Sequence, residues 1–174
     1  MSHRRELYQE VILDHGKRPR NFRHPADANR EAKGDNPLCG DKVTIYLKLS
    51  PADVIDDVAF EGRGCAISTA SASLMTELLK GKSEDQANAL FGAFHPRCTQ
   101  DDAAPELPEK LEDEFDRLQV LSGVRQYPMR VKCATLAWHT MKAALEGAEK
   151  ASTEGAANRA SAISCPAPSR RAKP

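Results

Sequence analysis

Three cysteines and one carboxylate could do chemistry together: Cys39 and Asp41 on either side of Gly40, Cys65 after Gly62-Arg63-Gly64, and Cys133 after Arg130-Val131-Lys132. Each falls at the expected end of a helix or strand, whereas a cysteine kept for packing belongs inside an apolar stripe. Ends of neighbouring elements converge at one pole of a small domain, which makes a shared site the better reading. Three thiolates and a carboxylate supply four donors, the number tetrahedral zinc takes, and iron accepts the same set. A free thiol of pKa about 8.5 is only a few per cent ionised at pH 7, while a bound metal removes its proton outright. Helix N-termini, expected at both Cys65 and Cys133, favour the thiolate as well. Gly40 lets the chain bend between two donors, and Gly62 and Gly64 let backbone approach a metal closely.

Spacing by itself leaves the metal open. There is no C-x-x-C pair, which argues against an independent zinc ribbon or finger and weakens a metal reading drawn from spacing alone. A zinc hydrolase or deaminase would carry H-E-x-x-H, or H-x-E with P-C-x-x-C, and the chain has neither. A purely structural zinc, holding the fold and nothing more, stays open at this stage.

The elements that must position these residues follow from periodicity. Leu7, Tyr8, Val11 and Ile12 make one apolar stripe on a helix from Ser2 to about His15, expected to face the core and to end at Gly16. Residues 17–38 are polar, hold Pro19, Pro25 and Pro37, and read as loop. Val43, Ile45, Leu47 and Leu49 alternate with polar residues as a half-buried strand does, Ser50-Pro51-Ala52-Asp53 turns the chain, and a second strand from Val54 to Glu61 completes an antiparallel hairpin. Cys65 opens a helix running to Lys80, and Ser83-Glu84-Asp85-Gln86 is a capping box for a helix that His95-Pro96 should break at about Phe94. Pro108 starts a helix with Leu111, Phe115 and Leu118 on one face. The last helix spans Val131 to about Lys150, with Cys133 in its first turn. The unperiodic Ala, Ser, Pro and Arg residues of 151–174 read as a disordered tail after one domain of residues 1–150.

Composition narrows the functional classes. Lys and Arg number 25 and Asp and Glu 25, so no net charge draws the chain to nucleic acid or an anionic membrane. No apolar run is long enough to span a bilayer and no signal core opens the chain, so a cytoplasmic location is expected. Five cysteines cannot all pair, and reduced thiols fit better than a disulfide framework. Cys98 and Cys165 have no evident partner and read as incidental thiols. His15, His24, His95 and His139 read as structural, and Trp138 as a packed or interfacial aromatic.

Four segments together resemble a known family: Leu7-Tyr8-Gln9-Glu10-Val11-Ile12-Leu13-Asp14-His15 with Pro19-Arg20-Asn21, Asn36-Pro37-Leu38-Cys39-Gly40-Asp41, Gly62-Arg63-Gly64-Cys65-Ala66-Ile67-Ser68, and Arg130-Val131-Lys132-Cys133-Ala134-Thr135-Leu136-Ala137-Trp138. They resemble the SufU-type branch of the IscU and NifU N-terminal-like iron–sulfur cluster assembly proteins. Within that family IscU-type proteins carry a histidine where Lys132 stands and a Leu-Pro-Pro-Val-Lys docking sequence where this chain has Arg125-Gln126-Tyr127-Pro128-Met129. A longer stretch between Cys65 and Cys133, with added helix around Pro105 to Leu121, also points to the SufU type.

The resemblance implies an α+β fold with a small antiparallel sheet packed against helices, and a zinc site of Cys39, Asp41, Cys65 and Cys133. It implies a PLP-dependent cysteine desulfurase of the SufS type as partner, Cys39 as the acceptor of its persulfide sulfur, Arg130 as a contact to that partner, and downstream scaffold or acceptor proteins. In the SufU-type mechanism a desulfurase histidine displaces the matching cysteine from zinc. The alternative the family offers is a scaffold that builds a [2Fe–2S] cluster on the same four residues and passes it on.

Overall fold

The computed structural model describes residues 3–37, 39–99, 107–148 and 150–152 of the chain. Helix α1, His3–Lys17, leads into an irregular segment and then to three antiparallel strands, β1 (Arg30–Asn36), β2 (Asp41–Leu49) and β3 (Ile55–Arg63). Helices α2 (Ala66–Leu79), α3 (Glu84–Cys98), α4 (Glu112–Leu118, between two 3₁₀ stretches) and α5 (Pro128–Leu145) follow, and a short strand β4, Lys150–Ser152, closes the order. The strands lie in the order β3-β2-β1-β4, with β4 parallel to β1. Helix α5 packs across β1 and β2, α2 packs against β3 and α5, and α1 packs on α2, so one face of the sheet carries the helical layer. This is the expected α+β architecture.

The expected hairpin is β2–β3, and its alternation puts Val43, Ile45, Leu47, Leu49, Val58 and Phe60 into the core. Trp138 of α5 is completely buried there, with Phe94 and Phe91 of α3 against it at centroid distances of 5.2 and 6.1 Å. Ser83 and Gln86 make the reciprocal bonds of the capping box at the start of α3. No helix among the described residues is long and apolar enough to cross a membrane.

Five expectations are corrected. Residues 30–36 are strand, not loop: Ala32, Gly34 and Asn36 alternate inward, and because the inward set is small or polar it carries no apolar signal. A Cβ on Gly34 would collide with Thr140, so α5 crosses β1 where the side chain is missing. The stripe on α1 is not all core, since Leu7 is 59% exposed. The helix instead docks through Ile12 and the buried His15, whose Nδ1 bonds Ser73 Oγ at 2.7 Å, while Gly16 lies inside the last turn and lets α1 approach Ala66. Helix α3 runs through Pro96 to Cys98, because in the last turn a proline removes only one bond, to the exposed Gly92. Helix α5 begins at Pro128 rather than Val131, so Cys133 stands in its second turn. Strand β4 takes up residues 151 and 152 of the expected tail, and 153–174 lie outside the described residues.

Candidate metal centre

The four residues enter from four different elements. Cys39 lies on the turn between β1 and β2, where its N–H and that of Gly40 both donate to the Asn36 carbonyl, at 3.2 and 2.8 Å. Gly40 adopts φ +72°, the left-handed conformation that closes this turn. Asp41 opens β2 and is 2% exposed. Cys65 caps the N-terminus of α2, with its sulfur accepting the Ser68 N–H at 3.4 Å and its own N–H donating to Asp41 Oδ1 at 3.1 Å. Cys133 is fully buried in α5.

Three of the four form a compact set. The ligand atoms of Cys39, Asp41 and Cys133 all lie within 4.8 Å of one another, and the Cys133 thiol donates to Cys39 Sγ at 3.6 Å. Cys65 stands outside this set and reaches it through its N–H bond to Asp41 Oδ1, with its thiol beside that of Cys133. Asp41 Oδ2 is buried with no partner among the described residues, a costly state for a carboxylate oxygen unless a cation faces it.

The thiols do not ionise alike. The hydrogen bond from Cys133 draws the Cys65 thiol down to about 6 against its burial, with help from the Ser68 N–H. Cys133, which gives that bond, is pushed far up by Cys65, by burial and by the neighbouring Asp41. Between Cys65 and Cys133 one thiol ionises and the other keeps its proton unless a cation takes the proton's place. The helix N-terminus argument therefore holds for Cys65 only, since Cys133 sits beyond the first turn of α5.

Arg130, one turn before Cys133 and exposed, lies beside Cys65 and Cys133 and is held charged by them. Asn36 was given no role by the sequence, and Gly64 has a different one from the close approach to a metal expected of it. Asn36 is buried and points its Nδ2 at Cys133 Sγ, 3.8 Å away, besides anchoring the Cys39 turn. Gly64 leaves room for the Asp41 carboxylate: a Cβ there would lie 2.7 Å from Oδ1. Both sit within three residues of a cysteine in the quoted segments, which was the available signal.

Comparison with known proteins shows the family. Residues 7–94, which hold Cys39, Asp41 and Cys65, match the family model described as the NifU-like N terminal domain. The chain belongs to this family. The NifU-like chain is 39% identical over 140 residues to the iron–sulfur cluster assembly scaffold protein IscU of Streptococcus pyogenes, covering 80% of this chain and 83% of that one. It is 36% identical over 138 residues to the zinc-dependent sulfurtransferase SufU of Bacillus subtilis, with 78% and 87% covered. A crystal structure of a putative iron–sulfur cluster assembly scaffold protein for the SUF system from Fervidobacterium islandicum superposes with a TM-score of 0.68 at 34% identity, over 80% of this chain and 97% of that one.

Among the described residues of the NifU-like chain, three other candidate groups are engaged elsewhere. Cys98 is buried in the core and its thiol is pushed up to about 12 by burial. His139 packs edge-on to Phe91 at 5.1 Å and to His95 at 5.5 Å, away from the thiols. His24 stacks on Tyr46 at 4.2 Å. Cys165 lies outside the described residues.

Proposed function

We propose that this chain is an iron–sulfur cluster assembly protein whose Cys39 accepts persulfide sulfur from a PLP-dependent cysteine desulfurase of the SufS type in the cytoplasm. The observation that carries the reading is an exposed Cys39 sulfur set 3.6 Å from a fully buried Cys133 sulfur, with an orphaned Asp41 oxygen beside them.

The donor set fits zinc. Two sulfurs at zinc–sulfur distances of about 2.3 Å in a tetrahedron stand about 3.8 Å apart, close to the 3.6 Å between Cys39 and Cys133. Cys39, Asp41, Cys65 and Cys133 would hold the ion, and zinc when bound keeps the thiols deprotonated at neutral pH. The residues do the rest. Cys39, exposed on its turn, can leave the set toward a partner while Cys133 and Asp41 stay buried in α5 and β2. Its thiolate attacks the outer sulfur of the donor's cysteine persulfide. A new sulfur–sulfur bond forms on Cys39, the donor's own breaks, and the donor cysteine departs as thiolate. Arg130 lies where it can steady that negative charge and meet the partner.

A second reading is favoured by the IscU scaffold relatives and by the shared donor chemistry: a [2Fe–2S] cluster is built on the same four residues and handed to acceptor proteins. Desulfurase turnover decides between them, measured with zinc-loaded chain, with metal-stripped chain and with Cys39→Ala, together with the metal content of each. Strong stimulation that needs both zinc and Cys39 is expected. No stimulation, with ready uptake of a coloured cluster under anaerobic iron and sulfide, would replace sulfur acceptance by the scaffold reading.

A further inference from the structure

We propose that Cys133 is a resolving thiol: once Cys39 carries a persulfide and Cys133 is not engaged as a metal ligand, Cys133 discharges the sulfur as free sulfide by closing a Cys39–Cys133 disulfide. This rests on the sulfur-acceptor reading above and gives that site a second, reductive activity.

The geometry is set for this step. The two sulfurs are 3.6 Å apart, against about 2.05 Å in a disulfide, so they must close by about 1.6 Å. Cys133 cannot travel, being fully buried with its thiol also directed at the Met129 carbonyl at 3.5 Å. Cys39 can: it is exposed, it sits on a turn, and Gly40 beside it has φ +72° with nothing within 4 Å of the position a Cβ would take. Solvent lies on the outer side of the exposed Cys39 and the buried Cys133 on the inner side. An outer sulfur that points away from the protein therefore leaves the inner sulfur open to attack from Cys133, in line with the departing atom.

The step balances without another reagent. Cys133 sulfur bonds to Cys39 Sγ, the Cys39–sulfane bond breaks, and the sulfane leaves as hydrosulfide with the proton of the Cys133 thiol. Two thiols are oxidised to one disulfide, and the sulfane sulfur gains the two electrons. The exposed Arg130, one turn before Cys133 on α5, offers a positive charge to the departing anion. Cluster assembly consumes sulfide, so a scaffold that makes it in place has a use for the reaction. A dithiol reductant must then reopen the disulfide.

The test uses metal-free, fully reduced full-length chain, loaded anaerobically at Cys39 with sulfane sulfur from inorganic disulfide and, in parallel, from a cysteine desulfurase with L-cysteine. After excess donor is removed and with no reductant present, one sulfide per chain is expected. The product should be lighter than the reduced chain by two hydrogens, with a Cys39–Cys133 linkage on peptide mapping. Cys133→Ser should instead stay heavier by one sulfur atom and release sulfide at least about tenfold more slowly, whereas Cys65→Ser should still map to Cys39–Cys133. A wild-type persulfide that persists as long as that of Cys133→Ser, or a disulfide mapped to another pair, overturns the proposal even if the desulfurase loads Cys39. Loading and discharge with inorganic disulfide but none from the desulfurase would uphold it and overturn the acceptor reading.

Discussion

Gly64→Ala tests how tightly the Asp41 carboxylate is held. The new methyl would lie 2.7 Å from Oδ1 and 3.0 Å from the carboxyl carbon, where ordinary contact begins at 3.4 Å. The carboxylate must retreat by about 0.7 Å, which stretches its 3.1 Å bond from the Cys65 N–H to about 3.8 Å, outside hydrogen-bond range. Losing that bond at a buried carboxylate costs about 2 kcal/mol, a fall of about 4–8 °C in the Tm of metal-free chain. A displacement of about 0.7 Å also exceeds the roughly 0.5 Å within which a ligand must be placed, and zinc affinity should fall about 10- to 100-fold. Competition against a chromophoric chelator reads the affinity and calorimetry the Tm. Gly40→Ala is the control: with φ +72° and open space it strains the turn without touching Asp41, so its zinc affinity should stay nearer the parent's. A Gly64→Ala chain that binds zinc like the parent with an unchanged Tm would refute the idea that backbone at 64 clasps the carboxylate.

Three further outcomes follow from the same coordinates. Because α5 crosses β1 at Gly34, Gly34→Ala should destabilise by about 1–3 kcal/mol in urea unfolding, and Thr140→Ala should recover part of that loss by removing the atom the methyl would strike. At pH 7.5 iodoacetamide should label Cys39 in native, metal-free chain and leave the Cys98 peptide unmodified until denaturant is added, since Cys98 is buried with its thiol pushed up to about 12. His139 is held down to about 4 by burial, with the neighbouring His95 and Lys142 adding to it. Its folded form binds its proton less readily than the unfolded chain does at 6.5, so the stability it contributes is complete above 6.5 and drains away as pH falls toward 4. The loss is at most about 3 kcal/mol. His139→Phe should flatten that part of the pH profile, and an unchanged slope would count against it.

Legibility in the sequence depended on whether burial used apolar side chains. Strands β2 and β3 announced themselves because Val43, Ile45, Leu47 and Val58 alternate with polar neighbours. Strand β1 obeys the same two-residue period with Ala32, Gly34 and Asn36, and hydrophobic periodicity is blind to that set. Small side chains are required there because α5 lies so close. The start of α5 was hidden differently. As a residue type Pro128 reads as a break in the helical pattern, but at a first helical position proline loses no bond the helix would have made. The stripe on α1 misled because docking onto α2 runs through polar groups, His15 to Ser73 and the Arg20 N–H to the same hydroxyl at 2.8 Å.

The thiol site was legible as a set of residue types at element ends, but not in its internal order. Sequence places Cys39, Cys65 and Cys133 on equal terms, and the fold makes them unequal: one exposed on a turn, one half-buried at a helix cap, one sealed behind both. That inequality comes from where α5 begins. Had α5 started at Val131, Cys133 would lie in the first turn, where unbonded backbone N–H groups would favour a thiolate. Started at Pro128, it is carried inside, hydrogen-bonds the Cys39 sulfur, and has Asn36 of β1 at its back. Asn36 thus links the site to the strand the sequence concealed. Its backbone holds the Cys39 turn while its side chain meets Cys133, so it fixes the distance between the exposed and the buried sulfur.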